Sequence, residues 1–246
     1  MLSCIIMMHY LPEELAQIRH LPAHVSIIMD GNRRWAKKRG VLSGGHWQGA
    51  DTVDLIVDAA AEMGIEVLTL YAFSTENWKR SAIEVMTLQK ILKTFLQKKC
   101  DNMVKNGIQF DVIGDVVAFP IGIQQEIQRV KEKTHEGNRL RLRLALNYGG
   151  RDEICRAANL LCEKMVRGEI KKVTEEIFEN HLDTAGLKPL DLFIRTGGEM
   201  RVSNFLLWQL SYAEIYVTDT LWPDFTPKDL LKAVLNYEKR ERRVGK

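Results

Sequence analysis

Six short runs of apolar, largely branched or aromatic residues punctuate the chain: Val25–Met29, Val67–Phe73, Gln109–Ile113, Leu140–Leu146, Leu190–Ile194 and Ile215–Thr218. Such runs read as strands buried on both faces. Between most of them the pattern turns helical, over Thr52–Met63, Ile83–Asn106, Ile123–Thr134, Glu153–Arg167 and Thr174–Leu182. Strand–helix alternation predicts an α/β fold whose mostly parallel six-stranded sheet is flanked by helices. Gly64, Gly107, Gly114, Gly149, Gly168 and Gly197 fall at the expected element ends. With no repeat, low-complexity tract or linker in the sequence, residues 23–246 are expected to form a single domain behind a lead-in of 1–22.

Composition narrows this picture without adding chemistry. A chain of 246 residues, 46% hydrophobic and 27% charged, suits one substantial soluble core. Its net charge of +3 is too small to argue for nucleic acid, and its basic residues lack interleaved aromatics. Cys4, Cys100, Cys155 and Cys162 form no CxxC pair, and Cys155 and Cys162 are expected to be buried apolar positions of one helix. This cysteine usage fits a reducing, cytoplasmic compartment. Met1–Met8 is apolar but too short to span a bilayer and lacks secretory features, so it reads as a loose lead-in, with Met7 and Met8 as alternative starts. Asp51, Asp54 and Asp58 share a helical face and read as a solvated acidic surface. Neither GxGxxG nor GxxxxGK[ST] occurs.

Chemistry collects where the strands end. The first run stops at Asp30-Gly31-Asn32, followed by Arg33, Arg34 and Trp35. In an open α/β sheet the carboxyl ends of strands are where ligands sit, and helix N-termini there favour anions. One acid there could hold a hard cation, and the two arginines could clamp phosphate oxygens. A strand-end Asp capping a helix, with solvated basic residues behind it, fits the same run. The second run leads into Ser74, Thr75, Glu76, Asn77, Trp78, Lys79 and Arg80; the fourth into Asn147-Tyr148-Gly149-Gly150-Arg151; the fifth into a segment from Arg195 to Asn204. Polar loops are ordinary singly, but these share one end of successive parallel strands. Arg34, Arg80, Arg195 and Arg201 could converge on two anionic groups, each charge-assisted hydrogen bond contributing about 1.5–3 kcal/mol. No Ser-His-Asp order, cysteine nucleophile or HExxH helix is available, so the site is suited to stabilising charge on oxygen.

At these residues the chain resembles the cis-prenyltransferase family, in particular its bacterial isoprenyl transferase (undecaprenyl diphosphate synthase) branch. The matching blocks are HVSIIMDGNRRWAKKRG, LTLYAFSTENWKR, LALNYGGRDEI, DLFIRTGGEMRVSNFLLWQLSYAEIYVTDTLWPDF and the closing RERRVGK, from His24 to the end. The resemblance implies that isopentenyl diphosphate is condensed in cis, repeatedly, onto an allylic primer, farnesyl diphosphate being expected. The implied product is a long polyprenyl diphosphate, the undecaprenyl carrier lipid of cell-wall synthesis. It further implies that Asp30 anchors Mg²⁺ and the allylic diphosphate, with Gly31, Asn32, Arg33, Arg34, Trp35 and His46 around it. Ser74, Thr75, Glu76, Asn77, Trp78 and Arg80 lie at the reacting end. Arg195, Arg201, Val202 and Ser203 match positions that hold isopentenyl diphosphate, and Glu214 matches a second Mg²⁺ ligand. The family assigns Asn77 as proton acceptor; a neutral amide is a poor base, so orientation of a diphosphate oxygen, water or Ser74 is the better expectation. His46 fits a charged phosphate ligand, a neutral donor or a purely structural residue.

A homodimer is also implied, with Arg243-Val244-Gly245 reaching the partner's site, and so is peripheral membrane contact for product release. The lengthening lipid needs an apolar tunnel, for which Val85, Leu88, Leu92 and Leu96 form a candidate wall; ordinary core packing fits them too. Departures from the pattern are Arg33 where Gly is more frequent, Ser81 for a proline, and a loop before His46 that is one residue short and lacks an arginine. Two rivals remain. A phosphotransferase with Asp30 as nucleophile needs a second acid where Asn32 stands. A non-catalytic subunit would have no need to keep Asp30, Asn77, Arg195, Arg201 and Glu214.

Overall fold

A computed structural model describes residues 9–10, 12–41 and 44–240. Their elements are α1 (Pro12–Leu15), β1 (His24–Ile28), α2 (Asn32–Lys38), α3 (Gly44–Met63), β2 (Val67–Ser74), α4 (Ala82–Lys105), β3 (Ile108–Ile113), α5 (Ile121–Thr134), β4 (Leu140–Tyr148), α6 (Gly150–Val166), α7 (Glu175–Glu179), β5 (Leu192–Arg195), β6 (Glu214–Val217) and α8 (Pro227–Glu238). All six expected strands are present, in the order β3-β4-β2-β1-β5-β6, and every neighbouring pair is parallel. The chain leaves β1 towards β2 on one side and reaches β5 on the other only after β4. The crevice beyond the carboxyl end of β1 is therefore the topological switch point, where ligands bind in such sheets.

Two-residue periodicity splits the strands between two cores. Val25, Ile27, Leu68, Leu70, Leu142, Leu192 and Ile194 belong to a large cluster shared with Ile56, Leu96, Ile127 and Leu230 from the helices. Alternate positions Ile28, Tyr71, Ala145 and Phe193 belong to a smaller cluster with Phe205 and Leu206. Burial of each large aliphatic side chain contributes about 1.5–3 kcal/mol, so both faces must be covered for the sheet to persist. The smaller core is closed by a loop, not only by helices.

Three expectations change. Helix α3 begins at Gly44, eight residues before the helical pattern at Thr52. Glycine disfavours helix interiors, but here contact overrides propensity: a Cβ at Gly45 would lie 2.1 Å from the Asn32 carbonyl oxygen. The glycines let α3 press against α2 and carry His46 in the first turn. Cys155 and Cys162 are exposed, not buried. The inner face of α6 carries Glu153, Ala157 and Leu161 at four-residue spacing, which turns both cysteines outward. Only Asp51 of the acidic face is simply solvated: Asp54 accepts from Lys99 Nζ at 2.6 Å and Asp58 from Asn106 Nδ2 at 3.0 Å, tying α3 to α4. The described part of the segment before β1 packs on the domain, with Tyr10 buried and its hydroxyl donating to the Pro227 carbonyl at 3.0 Å. Met1–Met8 and Arg243-Val244-Gly245 lie outside the described residues. Among the described residues no helix is long and apolar enough to cross a membrane.

Candidate active site

The last residue of β5 is Arg195, and β1 ends two residues before Asp30. Thr196 joins the two strand ends: its Oγ1 accepts from the Asp30 N–H at 2.9 Å and lies 2.8 Å from the Asp30 carbonyl, to which it donates. The Asp30 carboxylate then meets two guanidinium groups, Arg195 Nη2 at 2.9 Å and Arg34 Nη2 at 3.2 Å. Arg195 is the unusual member, because its side chain is only 4% exposed. A buried cation must be paired, and it is: its Nη1 donates to Ser203 Oγ at 2.7 Å and to the Arg201 carbonyl. Its buried Nε finds no partner among the described residues. The turn between Asp30 and α2 requires Gly31, which has φ 114° and whose Cβ would meet the Leu221 side chain at 2.9 Å.

A second group of charges faces the first across a cavity of about 620 Å³. Strand β2 runs into a short 3₁₀ turn, Thr75–Lys79, which projects Glu76, Asn77 and Arg80. Asn77 Oδ1 accepts the Ser74 N–H at 3.1 Å, locking its own turn. Glu76 Oε1 accepts from Asn204 Nδ2 at 3.0 Å. Burial raises the Glu76 pKa, but hydrogen bonds from its own N–H, Asn204, Ser74 and Thr75 outweigh this and leave it lowered. On the first turn of α4, Glu84 gathers Arg80 at 2.7 Å, His46 at 3.6 Å and the Nε–Nη2 edge of the Arg33 guanidinium. His46 has its pKa lowered by burial and by the charge of Arg80, against the upward pull of Glu84.

The cavity is polar at one end and greasy at the other. Asp30, Asn32, His46, Ser74, Glu76, Asn77, Arg80, Arg195 and Ser203 line its polar part; Leu88, Ile91, Leu92, Phe95, Leu144 and Leu146 line its apolar part. Thus nine of the expected residues line one cavity. The others do not line it. Arg34 stands behind Asp30, Thr75 packs beside Gly149, and Trp78 packs against Phe73 and Phe119 with its Nε1–H on Asn147 Oδ1. Trp35 turns outward, donating to Asp224 at 2.7 Å under the Arg39 guanidinium. The Arg201 side chain pairs with Glu199, 62% exposed, and only its carbonyl reaches Arg195. Val202 packs against the smaller core. Glu214 opens β6 in register with Leu192, about 10 Å of strand from the end that bears Arg195. It pairs there with Arg240 at 2.6 Å, so within one chain it does not reach Asp30.

Three contributors escaped the sequence reading. Glu84 had a signal in Ser81-x-x-Glu84, a capping-box spacing, and Ser81 indeed caps α4, accepting the Glu84 N–H at 3.4 Å. Asn204, with φ 61°, accepts the Arg151 N–H and holds Glu76; the Gly149-Gly150 pair lets its loop approach closely. Trp222 is buried on the cavity wall with its Nε1–H on the Gly49 carbonyl at 2.8 Å.

As to metal, no group of three His, Cys, Asp or Glu side chains comes together among the described residues. The donor set does fit Mg²⁺ held jointly with a substrate, since Mg²⁺ usually takes one or two carboxylates plus phosphate oxygens and water. Asp30, 28% exposed, keeps lone pairs beyond its two ion pairs.

Comparison with known proteins places this arrangement. Residues 28–245 match the prenyltransferase family model described as "Putative undecaprenyl diphosphate synthase". The isoprenyl transferase of Chlamydia pneumoniae is 48% identical over 93% of this chain and 94% of its own. That of Fusobacterium nucleatum is 46% identical over 92% and 97%. Among solved structures, lavandulyl diphosphate synthase from Lavandula x intermedia, in complex with dimethylallyl diphosphate, has a TM-score of 0.89 at 39% identity, covering 92% of this chain and 99% of that one. A probable undecaprenyl diphosphate synthase from Campylobacter jejuni has a TM-score of 0.77 at 36% identity, covering 92% and 100%. Fold, strand-end chemistry and relatives agree: the chain belongs to the undecaprenyl diphosphate synthase family and is an isoprenyl transferase, a cis-prenyltransferase enzyme.

Proposed function

We propose that this enzyme adds isopentenyl diphosphate units in cis and repeatedly to an allylic diphosphate, farnesyl diphosphate serving as primer. The product is a long polyprenyl diphosphate, the undecaprenyl carrier for cell-wall synthesis. The observation that carries this reading is the two-part cavity. Arginines, Asp30 and Asn77 form a head suited to diphosphates, continuous with a slot of Leu, Ile and Phe suited to a hydrocarbon tail. The lavandulyl diphosphate synthase relative holds an allylic diphosphate of the same chemical class, which supports it.

Loss of the allylic C–O bond releases a diphosphate and leaves a carbocation. The isopentenyl double bond attacks that carbon, a C–C bond forms, and one proton departs. Arg34, Arg80 and Arg195 stabilise charge on the diphosphates, the type of preorganised electrostatics that lowers such a barrier. Mg²⁺, held by Asp30 and the diphosphate, would neutralise leaving-group charge when bound. Asn77 lines the cavity and accepts the Ser74 N–H at its carbonyl oxygen, which leaves its NH₂ to act as a donor. It orients a diphosphate oxygen, and that oxygen or Ser74 takes the proton. At about 0.8 kcal/mol per buried CH₂, each unit added along a dry slot gains roughly 3–4 kcal/mol as an upper figure, which favours elongation over early release. The apolar slot is thus the entrance to the product tunnel. Strand β6 is an open sheet edge with Ile215 47% and Tyr212 71% exposed; a second copy in a homodimer covers it. Release of the lipid takes place at a membrane surface.

The test is incubation with labelled isopentenyl diphosphate, farnesyl diphosphate and Mg²⁺, followed by chromatography of the product. A long polyprenyl ladder is expected. A single short product would remove the carrier-lipid assignment, and no incorporation would remove the reaction.

A further inference from the structure

Glu84 holds more donors than one carboxylate needs. Arg80 and His46 reach it from the cavity wall, at 2.7 and 3.6 Å. Arg33 reaches it from α2, with Nε donating at 2.9 Å to Oε1, the oxygen that Arg80 and His46 also approach, and Nη2 to Oε2. Arg33 does not line the main cavity. It lines an adjoining recess of about 440 Å³ together with Lys37, Val41, Thr87 and Glu84, where Asn32 and His46 line both spaces, and its side chain is 63% exposed. One edge of its fork, Nε and Nη2, is taken up by Glu84, and the residue is not part of the main cavity's lining.

A diphosphate entering the cavity competes with Glu84 for Arg80 and His46. Without Arg33 that exchange would strand a carboxylate, 16% exposed, beside the incoming anion, and like charges at such range oppose binding. With Arg33, the carboxylate stays paired while the two cavity-facing donors, Arg80 and His46, turn to the ligand. We propose that Arg33 is the reserve counterion of Glu84: it binds no substrate itself but sets the affinity for the diphosphate held by Arg80 and His46. Resting on the reading above, that diphosphate is the allylic primer's. The residue is therefore a positioning residue acting through Glu84, from outside the lining of the main cavity.

The test is a charge cycle read with magnesium pyrophosphate by calorimetry, on wild type, R33A, E84Q and R33A/E84Q, with circular dichroism as the folding check. R33A should weaken pyrophosphate about tenfold, the scale of one charge-assisted hydrogen bond, and should have no further effect in the E84Q background. R33K, which keeps the charge but not the fork, should fall between wild type and R33A. In turnover, R33A should raise KM for the primer by a similar factor and leave KM for isopentenyl diphosphate within twofold. An equal loss in both backgrounds would mean that Arg33 touches the anion itself, and no loss in either would mean that it is a surface pair only; both overturn the proposal, as does wild type that binds no pyrophosphate. A wild type that binds pyrophosphate but elongates nothing removes the proposed reaction, while the cycle still decides Arg33.

Discussion

Two clusters of charge face the same cavity, and they are built on different principles. The Asp30–Arg195 pair grows out of two adjacent parallel strands, is stapled by Thr196, and buries its cation almost wholly. The Arg80–His46–Glu84 cluster stands on a 3₁₀ turn and two helix starts, with one carboxylate as its centre. In the first, backbone hydrogen bonds over-determine each position. In the second, position depends on a counterion that a ligand can replace. The first is suited to fixing where chemistry occurs, the second to admitting and releasing a substrate.

The largest effect should come from the rigid side. Arg195→Ala removes the buried partner of Asp30, a class of change worth about 3–5 kcal/mol. Steady-state incorporation of labelled isopentenyl diphosphate should fall by roughly two to three orders of magnitude in kcat/KM. Asp30→Ala should nearly abolish turnover with the circular dichroism spectrum retained. If either variant kept activity within a few-fold, the distinction drawn above would be lost.

Next comes Arg80→Ala. Removing one partly exposed, charge-assisted contact is worth about 1.5–3 kcal/mol, so KM for the primer should rise some ten- to a hundredfold. The kcat should move much less, because Arg195 still sits at the reacting end. A kcat loss as large as that of Arg195→Ala would mean that both clusters do the same work.

The fold was legible because its signals are local. The inner strands alternate between two buried faces, each run is bounded by glycine or polar residues, and the chemistry sits at or just past strand ends at Asp30, Ser74 and Arg195. What was not legible depends on partners brought together from several elements. Glu84 meets groups from α2, α3 and the 3₁₀ turn, and no spacing within α4 announces that. Trp35 and Arg201 stand inside informative motifs, yet their side chains turn to Asp224 and Glu199. Glu214 follows the fifth-strand motif in sequence but opens the next strand, at the far end of the sheet. The orientation of Cys155 and Cys162 depended on helix phase, set by buried Glu153, whose pKa burial raises and whose carboxylate takes hydrogen bonds from Tyr148 and Gln209.

A smaller effect should appear in the pH dependence. Burial and Arg80 hold His46 below the ordinary imidazole range, so in the free enzyme it is neutral at pH 7 and gains its proton only in more acidic solution. Each added positive charge at this cluster favours a diphosphate. Primer affinity in the free enzyme should therefore increase as pH falls through that lowered pKa and level off above it. In His46→Gln the acid-side gain should vanish while the Arg195-dependent kcat keeps its profile. Measuring KM for the primer between pH 5 and 8 decides this, and an unchanged profile in the variant would exclude His46 from the diphosphate site.

The mildest test concerns the joint between the two halves of the adjustable cluster. Ser81 lies between Arg80, on the 3₁₀ turn, and Glu84, on α4, with φ −58° and ψ 146°. That φ is already proline's, and Arg80 before it is extended, with φ −73° and ψ 170°, as a residue preceding proline must be. Among the described residues the Ser81 N–H finds no backbone acceptor that proline would forfeit. Ser81→Pro would lose a long cap contact of 3.4 Å, worth at most about 1 kcal/mol. It would also remove unfolded-state freedom worth about 0.4–1 kcal/mol. The two nearly cancel, so thermal melting should shift by only a degree or two in either direction. Primer KM should stay within about twofold, because the substitution stiffens the joint without touching the charges. A loss of several degrees would show that the cap hydroxyl, not the ion pairs, holds Glu84 in place, and the contrast between an over-determined cluster and a counterion-held one would then need redrawing.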